Sequence, residues 1–338
     1  MENKELEEFK KVSAKRNFYT TADSSWVFLW ALILPIAVGL IFTYVSYAFV
    51  SKNLPSGSNP VEAMFDMYLW FKIVMLCLSE ICFVLLFLAY NKLHRIKNSA
   101  CNLHLSRTNW KTALFAMLLG VVAVVGFVTF IEGVLGNMFS AIGIKQSSMN
   151  LQNNTIGWYF VNLLILGVFP AVCEELIFRG VIFQGLRKNF SKWSSIILTA
   201  ALFAIVHENI MQFVYPFILG IVLTTIMEHT GNLFYPILLH MFNNFATITL
   251  SFLINIGAIK LTFAGMAWWV YILGIVLALA TCAIFYLAYK FYLSKHQKIE
   301  VEEEGQVIAE PRAQIGKMPL VLLVGIVLGA IMIVINLL

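Results

Sequence analysis

The chain is written as long apolar runs separated by short polar breaks. The runs fall near 26–50, 64–91, 111–134, 156–186, 194–208, 211–228, 232–256, 266–291 and 318–338. A hydrocarbon core ~30 Å thick takes about 20 apolar residues at ~1.5 Å rise each, so runs of this length predict transmembrane helices. The run 194–208 is short for a full crossing. The pattern therefore predicts an all-α fold, a polytopic membrane helix bundle with eight or nine transmembrane helices. Two stretches interrupt it: 56–60 has turn chemistry, and 295–317 is a charged linker containing Glu302, Glu303 and Glu304. The chain then divides into 1–155, an amino-terminal tail and three transmembrane helices of unassigned role; 156–256, a core; and 257–338, carboxy-terminal transmembrane helices with the charged linker.

Composition agrees with lipid as the solvent. Of 338 residues 60% are hydrophobic and 12% charged, with a mean hydropathy of +0.83. The first 25 residues are polar, so the first apolar run starts too late and runs too long for a cleaved signal, and the amino terminus is expected to be retained. Lys4, Lys10, Lys11, Lys15, Arg16, Lys92, Arg95, Lys97, Arg107, Lys111, Arg187, Lys188 and Lys192 fall on one side of the membrane under this span order. Lys290, Lys295, Lys298, Arg312 and Lys317 join them, while the other side receives only Lys52, Lys145, Lys260 and the boundary residue Lys72. The positive-inside bias then predicts a multi-pass protein of the cell membrane with its amino terminus in the cytoplasm. It also explains the net charge of +5 without a nucleic-acid partner. The five cysteines show neither zinc spacing nor disulfide density.

An ionisable side chain inside a membrane costs several kcal/mol unless it is paired or lines a wet cavity. Within the apolar runs stand Glu80, Glu132, Glu174, Glu175, Arg179, His207, Glu208, Glu228, His229 and His240. Glu175 and Arg179 are four residues apart and share a helix face, which permits a salt bridge; Glu174 points about 100° away. One reading has Arg179 neutralise both carboxylates and pin the helix. The other makes Arg179 the structural partner of Glu175 and frees Glu174 as a general base. His207 lies deep in its run, and His240 and Asn244 share a face at four-residue spacing. Counting ~1.5 Å per residue from the cytoplasmic ends puts Glu174 ~18 Å, His207 ~20 Å and His240 ~12 Å into the bilayer, so three helices present polar groups at one level.

Other intramembrane chemistries lack their residues. The only aspartates, Asp23 and Asp66, lie near span ends, and His207-Glu208 has no second histidine three residues on. The serines have no nucleophile-elbow context. Cys173 beside Glu174 is read as a buried packing residue rather than a nucleophile.

Taken in order, Glu174-Glu175-x-x-x-Arg179, Phe203-x-x-x-His207 and His240-x-x-x-Asn244 resemble the signature of the CAAX proteases and bacteriocin-processing enzymes, the CPBP or Abi family. The resemblance covers 156–256. It implies an intramembrane endopeptidase in which Glu174 and His207 activate water, His240 and Asn244 stabilise the oxyanion, and Glu175, Arg179 and Phe203 support them. Zinc stays open as a cofactor: Glu174, His207 and His240 would be its ligands. Because an amide is a poor zinc ligand and a good oxyanion donor, the metal-free glutamate mechanism is preferred. The implied partners are membrane lipid and a membrane-embedded or lipid-associated peptide or protein substrate, with a peptide or membrane protein favoured over a prenylated tail because the composition has a bacterial style. Two alternatives stand beside this: a non-enzymatic scaffold or bacteriocin-immunity protein of the same fold that holds a partner membrane protein, and a transporter relaying protons through the same buried groups.

Overall fold

The structure, a computed structural model, describes residues 19–55, 57, 59–94, 96, 155–259 and 318–335. The amino-terminal tail, the expected spans at 111–134 and 266–291, and the charged linker lie outside the described residues.

Every described element is a helix. The first, α1 (Thr21–Val50), starts at Thr20, whose side chain accepts from the Asp23 amide while the Asp23 carboxylate accepts from the Thr20 amide. This reciprocal cap satisfies amides that the first turn leaves without helical partners. The expected run 64–91 is not one helix: it divides at Tyr68, in extended backbone, into α2 (Pro60–Met67) and α3 (Leu69–Leu93). Hydrophobicity hides the break because both sides are apolar. In a straight helix Phe65 and Phe71 would lie about 120° apart; the bend brings their rings to 5.0 Å, with Phe42 of α1 stacked on Phe71 at 5.4 Å.

The longest apolar run of the second half forms α4 (Ile156–Leu186), continuous but widened to π geometry at Leu163–Val168 and Phe178–Ile182. The first widening precedes Pro170, whose ring carries no N–H and crowds the carbonyl four residues back. The chain continues through α5 (Lys192–Ile205), α6 (Ile210–Thr230), α7 (Phe234–Asn255) and α8 (Leu320–Ile335). Among the described residues five helical stretches are long and apolar enough to cross a membrane: Thr21–Asn53, Leu69–Leu93, Ile156–Leu186, Phe213–Thr230 and Phe234–Asn255. The helices α5 and α8 are apolar but have 14 and 16 residues, roughly 21 and 24 Å of rise against ~30 Å of hydrocarbon.

Packing places α4 at the centre, against α1, α3 and α7, with α5 meeting its second π segment. Polar ties fix the α1 end of this arrangement. Ser24 Oγ and Thr21 Oγ1 donate to the carbonyls of Ile182 and Gly185 at 2.8 and 3.0 Å, and Tyr90 of α3 donates to Asp23 at 2.8 Å. Gly185 allows the approach, because a Cβ there would run into Ser24 Oγ and the Thr20 carbonyl. On the other side α5 and α6 run against each other at Gly220, where a Cβ would stand 2.9 Å from Ala200 Cα. Many large apolar side chains point outward, among them Leu40, Tyr44, Phe49, Leu85 and Leu88. That surface suits a lipid solvent, in which outward apolar groups carry no penalty.

Candidate active site

In the middle of α4 the pair Glu174 and Glu175 meet different surroundings. Glu175 is completely buried and turned toward Arg179, whose Nη1 donates to Glu175 Oε1 at 2.6 Å. The other guanidinium donors are also used: Nε donates to Thr224 Oγ1 and Nη2 to the Gly220 carbonyl, each at 3.2 Å. The Thr224 hydroxyl in turn donates to Gly220 O at 2.7 Å. A buried guanidinium is tolerable only when its donors are spent in this way. Its flat face lies 4.6 Å from the centre of the Phe203 ring, adding a cation–π contact.

Glu175 holds a second partner. His240 of α7 places Nδ1 2.9 Å from Glu175 Oε1. Because the carboxylate only accepts, the histidine donates from Nδ1, which fixes the ring and leaves Nε2 toward Glu174, 3.8 Å from Oε2. That distance exceeds a direct hydrogen bond and lies within ion-pair range when the imidazole is protonated. Glu174 Oε2 has no hydrogen-bond partner among the described residues.

His207 owes its orientation to the way α5 ends. The last turn tightens, with the His207 amide bonding Ala204 O and the Glu208 amide bonding Ile205 O. The Phe203 carbonyl is thereby left for a side chain, and His207 Nδ1 donates to it at 2.8 Å. Spacing by four residues thus serves a local purpose: the phenylalanine carbonyl selects the tautomer and leaves Nε2 with its lone pair. Glu208 follows with φ 53°, an uncommon backbone for a side chain with a Cβ, and stops the helix at the histidine. The Phe203 ring stands 5.0 Å from the His207 ring and 5.9 Å from the His240 ring, wedged between the histidines and the arginine.

Glu174 and His207 open onto one cavity of about 120 Å³, walled also by Leu32 of α1, Ser79 and Glu80 of α3, and Glu208. A water occupies about 30 Å³ in the liquid, so several fit. Asn244 lies one turn beyond His240 and off this cavity. Its amide donates to Gly167 O at 3.5 Å and accepts from Asn243 at 3.1 Å. The structure thus gathers Glu174, Glu175, Arg179, Phe203 and His240 into one contact network, joins His207 to Glu174 through the cavity, and sets Asn244 at the edge. Zinc does not fit the arrangement: among the described residues no three histidine, cysteine or acidic side chains are placed around one metal position. No chemistry below is routed through a metal.

Four participants went unassigned in the sequence. Thr224 and Gly220 carry no chemical signal in an apolar run. Glu80 and Glu208 did stand out as ionisable residues in apolar runs, but only the packing of α3 and the end of α5 brings them to the cavity.

An arrangement of this kind supplies a carboxylate, an imidazole acceptor and a water-sized space inside a helix bundle, which suits hydrolysis. Comparison with known proteins finds no match among curated proteins and none among solved structures. A family model does match, at residues 156–246, and its description is Type II CAAX prenyl endopeptidase Rce1-like. That stretch spans α4 to α7 and contains Glu174, Glu175, Arg179, Phe203, His207, His240 and Asn244. The protein is a multi-pass membrane protein whose residues 156–246 are similar to the Rce1-like family of type II CAAX prenyl endopeptidases.

Proposed function

We propose that the chain is an intramembrane endopeptidase that hydrolyses a peptide bond of a membrane-associated protein or peptide, using water activated by Glu174 and His207. One observation carries this reading: adjacent carboxylates meet different surroundings, Glu175 binding both Arg179 and His240 through one oxygen while Glu174 lines the cavity together with His207. Glu174 takes a proton from water, and the resulting hydroxide attacks the carbonyl carbon, with the His207 Nε2 lone pair accepting a hydrogen bond from the same water. The developing oxyanion is met by His240, which in its protonated form donates from Nε2, and by Asn244 once its long bond to Gly167 is released. The basic loops favour a cytoplasmic amino terminus in the cell membrane.

A second reading concerns substrate. The family description names a prenyl endopeptidase, and α1 and α3, which wall the cavity, also frame an apolar cleft of about 530 Å³ lined by Trp26, Trp30, Leu34, Leu86 and Leu93. A cleft of that character suits a lipid chain, so prenylated peptides belong in the assay beside unmodified ones.

The test compares wild type with Glu174→Ala in detergent, both shown to melt alike, on a library of membrane peptides with and without prenyl groups, read by mass spectrometry, in the presence and absence of a zinc chelator. Cleavage by wild type, unaffected by chelator and absent in Glu174→Ala, is expected. Equal products from both proteins would remove Glu174 from the chemistry, and loss of cleavage with chelator would replace the metal-free mechanism.

A further inference from the structure

Glu80 lies on α3, outside the segment matched by the family model, and neither the family description nor the mechanism above gives it work. Its side chain is more than nine-tenths buried. One oxygen accepts from the neighbouring Ser79 hydroxyl at 3.4 Å, a long bond, and the other has no hydrogen-bond partner among the described residues. It lines the same cavity as Glu174 and His207.

A buried carboxylate without a cation is costly, and α3 offers no reason to keep one there for packing alone. The groups that face it are few. From α4 come Glu174 and the thiol of Cys173, and from the end of α5 come His207 and Glu208. On its own helix Cys77 and Cys82 lie nearby. The cavity wall contributed by α1 is Ala31, Leu32 and Pro35, with nothing ionisable. The nearest guanidinium, that of Arg179, has its donors committed to Glu175, Thr224 and Gly220. Two carboxylates thus open on one small cavity with no lysine or arginine bonded to either among the described residues, His240 Nε2 standing 3.8 Å from Glu174 Oε2, an arrangement in which like charges disfavour double ionisation.

We propose that Glu80 is the second catalytic carboxyl of this site, holding with Glu174 one proton between them and delivering it to the leaving nitrogen. The inference rests on the proteolytic reading and supplies the step that reading lacks. Glu174 as carboxylate removes a proton from water, and the hydroxide adds to the carbonyl carbon. As the tetrahedral intermediate collapses the C–N bond breaks, the nitrogen takes the proton from Glu80, and the carbonyl re-forms as the acid. The proton gained by Glu174 then passes to Glu80 through cavity water, so both residues return to their starting states and the net reaction consumes one water.

The experiment compares wild type, Glu80→Gln, Glu80→Asp, Glu174→Gln and Glu208→Gln as full chains in detergent, each checked for a wild-type melting profile. Cleavage of the peptide found in the library is followed across pH, and the infrared carbonyl band of protonated carboxyl groups is recorded in parallel. Glu80→Gln is expected to lower kcat by on the order of a hundredfold, the usual scale of general-acid help, with KM little changed. It should also abolish the alkaline limb of the pH profile, because the amide has no proton to lose, and Glu80→Asp should restore both in part. In the infrared, one protonated-carboxyl band is expected to vanish in Glu80→Gln and to shift in Glu174→Gln. A purely structural glutamate would lower activity without changing the profile's shape, and that result overturns the proposal. So does removal of the alkaline limb by Glu208→Gln instead, or a Glu80 band that ignores Glu174→Gln. Should wild type cleave nothing, the proteolytic reading falls and the acid role with it, while the infrared result still decides whether the two carboxyls share a proton.

Discussion

Glu174 and Glu175 are neighbours in sequence and belong to two different regions of the molecule. On one side of α4 is a dry, closed network: Glu175, Arg179, Thr224, the Gly220 carbonyl and His240 Nδ1 bond one another with almost no exposure. On the other is a small cavity lined by Glu174, Glu80 and His207, with His207 Nδ1 held by the Phe203 carbonyl. A rotation of about 100° between successive helical residues separates them. In the proposed reading the closed side holds the cavity side in place. Arg179 ties α4 to α6, His240 brings in α7, and the Phe203 ring seated on the guanidinium positions the carbonyl that orients His207.

The comparison breaks most sharply by exchanging the carboxylates. Glu175→Ala strands a buried guanidinium and removes the partner of His240, a loss of about 3–5 kcal/mol for one half of a buried pair. Thermal unfolding in detergent should show a large drop or failure to assemble, whereas Glu174→Ala should melt near wild type. Similar melting for the two would mean that the dry network is not the structural half. A smaller effect is expected at the α5–α6 contact. Gly220→Ala puts a methyl 2.9 Å from Ala200 Cα, a backbone atom that cannot swing aside. Overpacking typically costs about 1–3 kcal/mol, which outweighs the gain of up to about 1 kcal/mol in helix propensity. Both melting temperature and activity should fall, since Gly220 also accepts from Arg179. Comparable in size is Thr224→Val, which keeps the shape and removes one acceptor of a charged donor, roughly 1.5–3 kcal/mol for a hydrogen bond to a charged group. Activity should decline through loosened positioning while the pH profile keeps its shape; a changed profile would place Thr224 on the reactive side.

Much of this was legible in the chain before folding. Apolar runs announced a membrane bundle because lipid demands helices with satisfied backbones. Spacing by four residues announced the Glu175–Arg179 pair and the shared face of His240 and Asn244, because both are local consequences of helical pitch; the His207 back-bond to Phe203 appears only in the structure. Length alone also marked 194–208 as short for a full crossing, and α5 has 14 residues. Hydrophobicity was blind to the break at Tyr68, since an aromatic cluster on both sides reads as one uninterrupted run.

What the sequence by itself determined is therefore whatever depends on neighbours within a turn or on solvent: helix class, membrane residence, and which ionisable residues needed an explanation. Tertiary structure alone decided which carboxylate is spent and which is kept. His240 lies 65 positions from Glu175 yet bonds it, Thr224 lies 45 positions from Arg179 yet accepts from it, and Glu80 reaches the cavity only because α3 packs on α4. The physical reason is that charge inside a membrane is settled by whatever the packed helices bring within a few ångströms, and packing has no period along the chain.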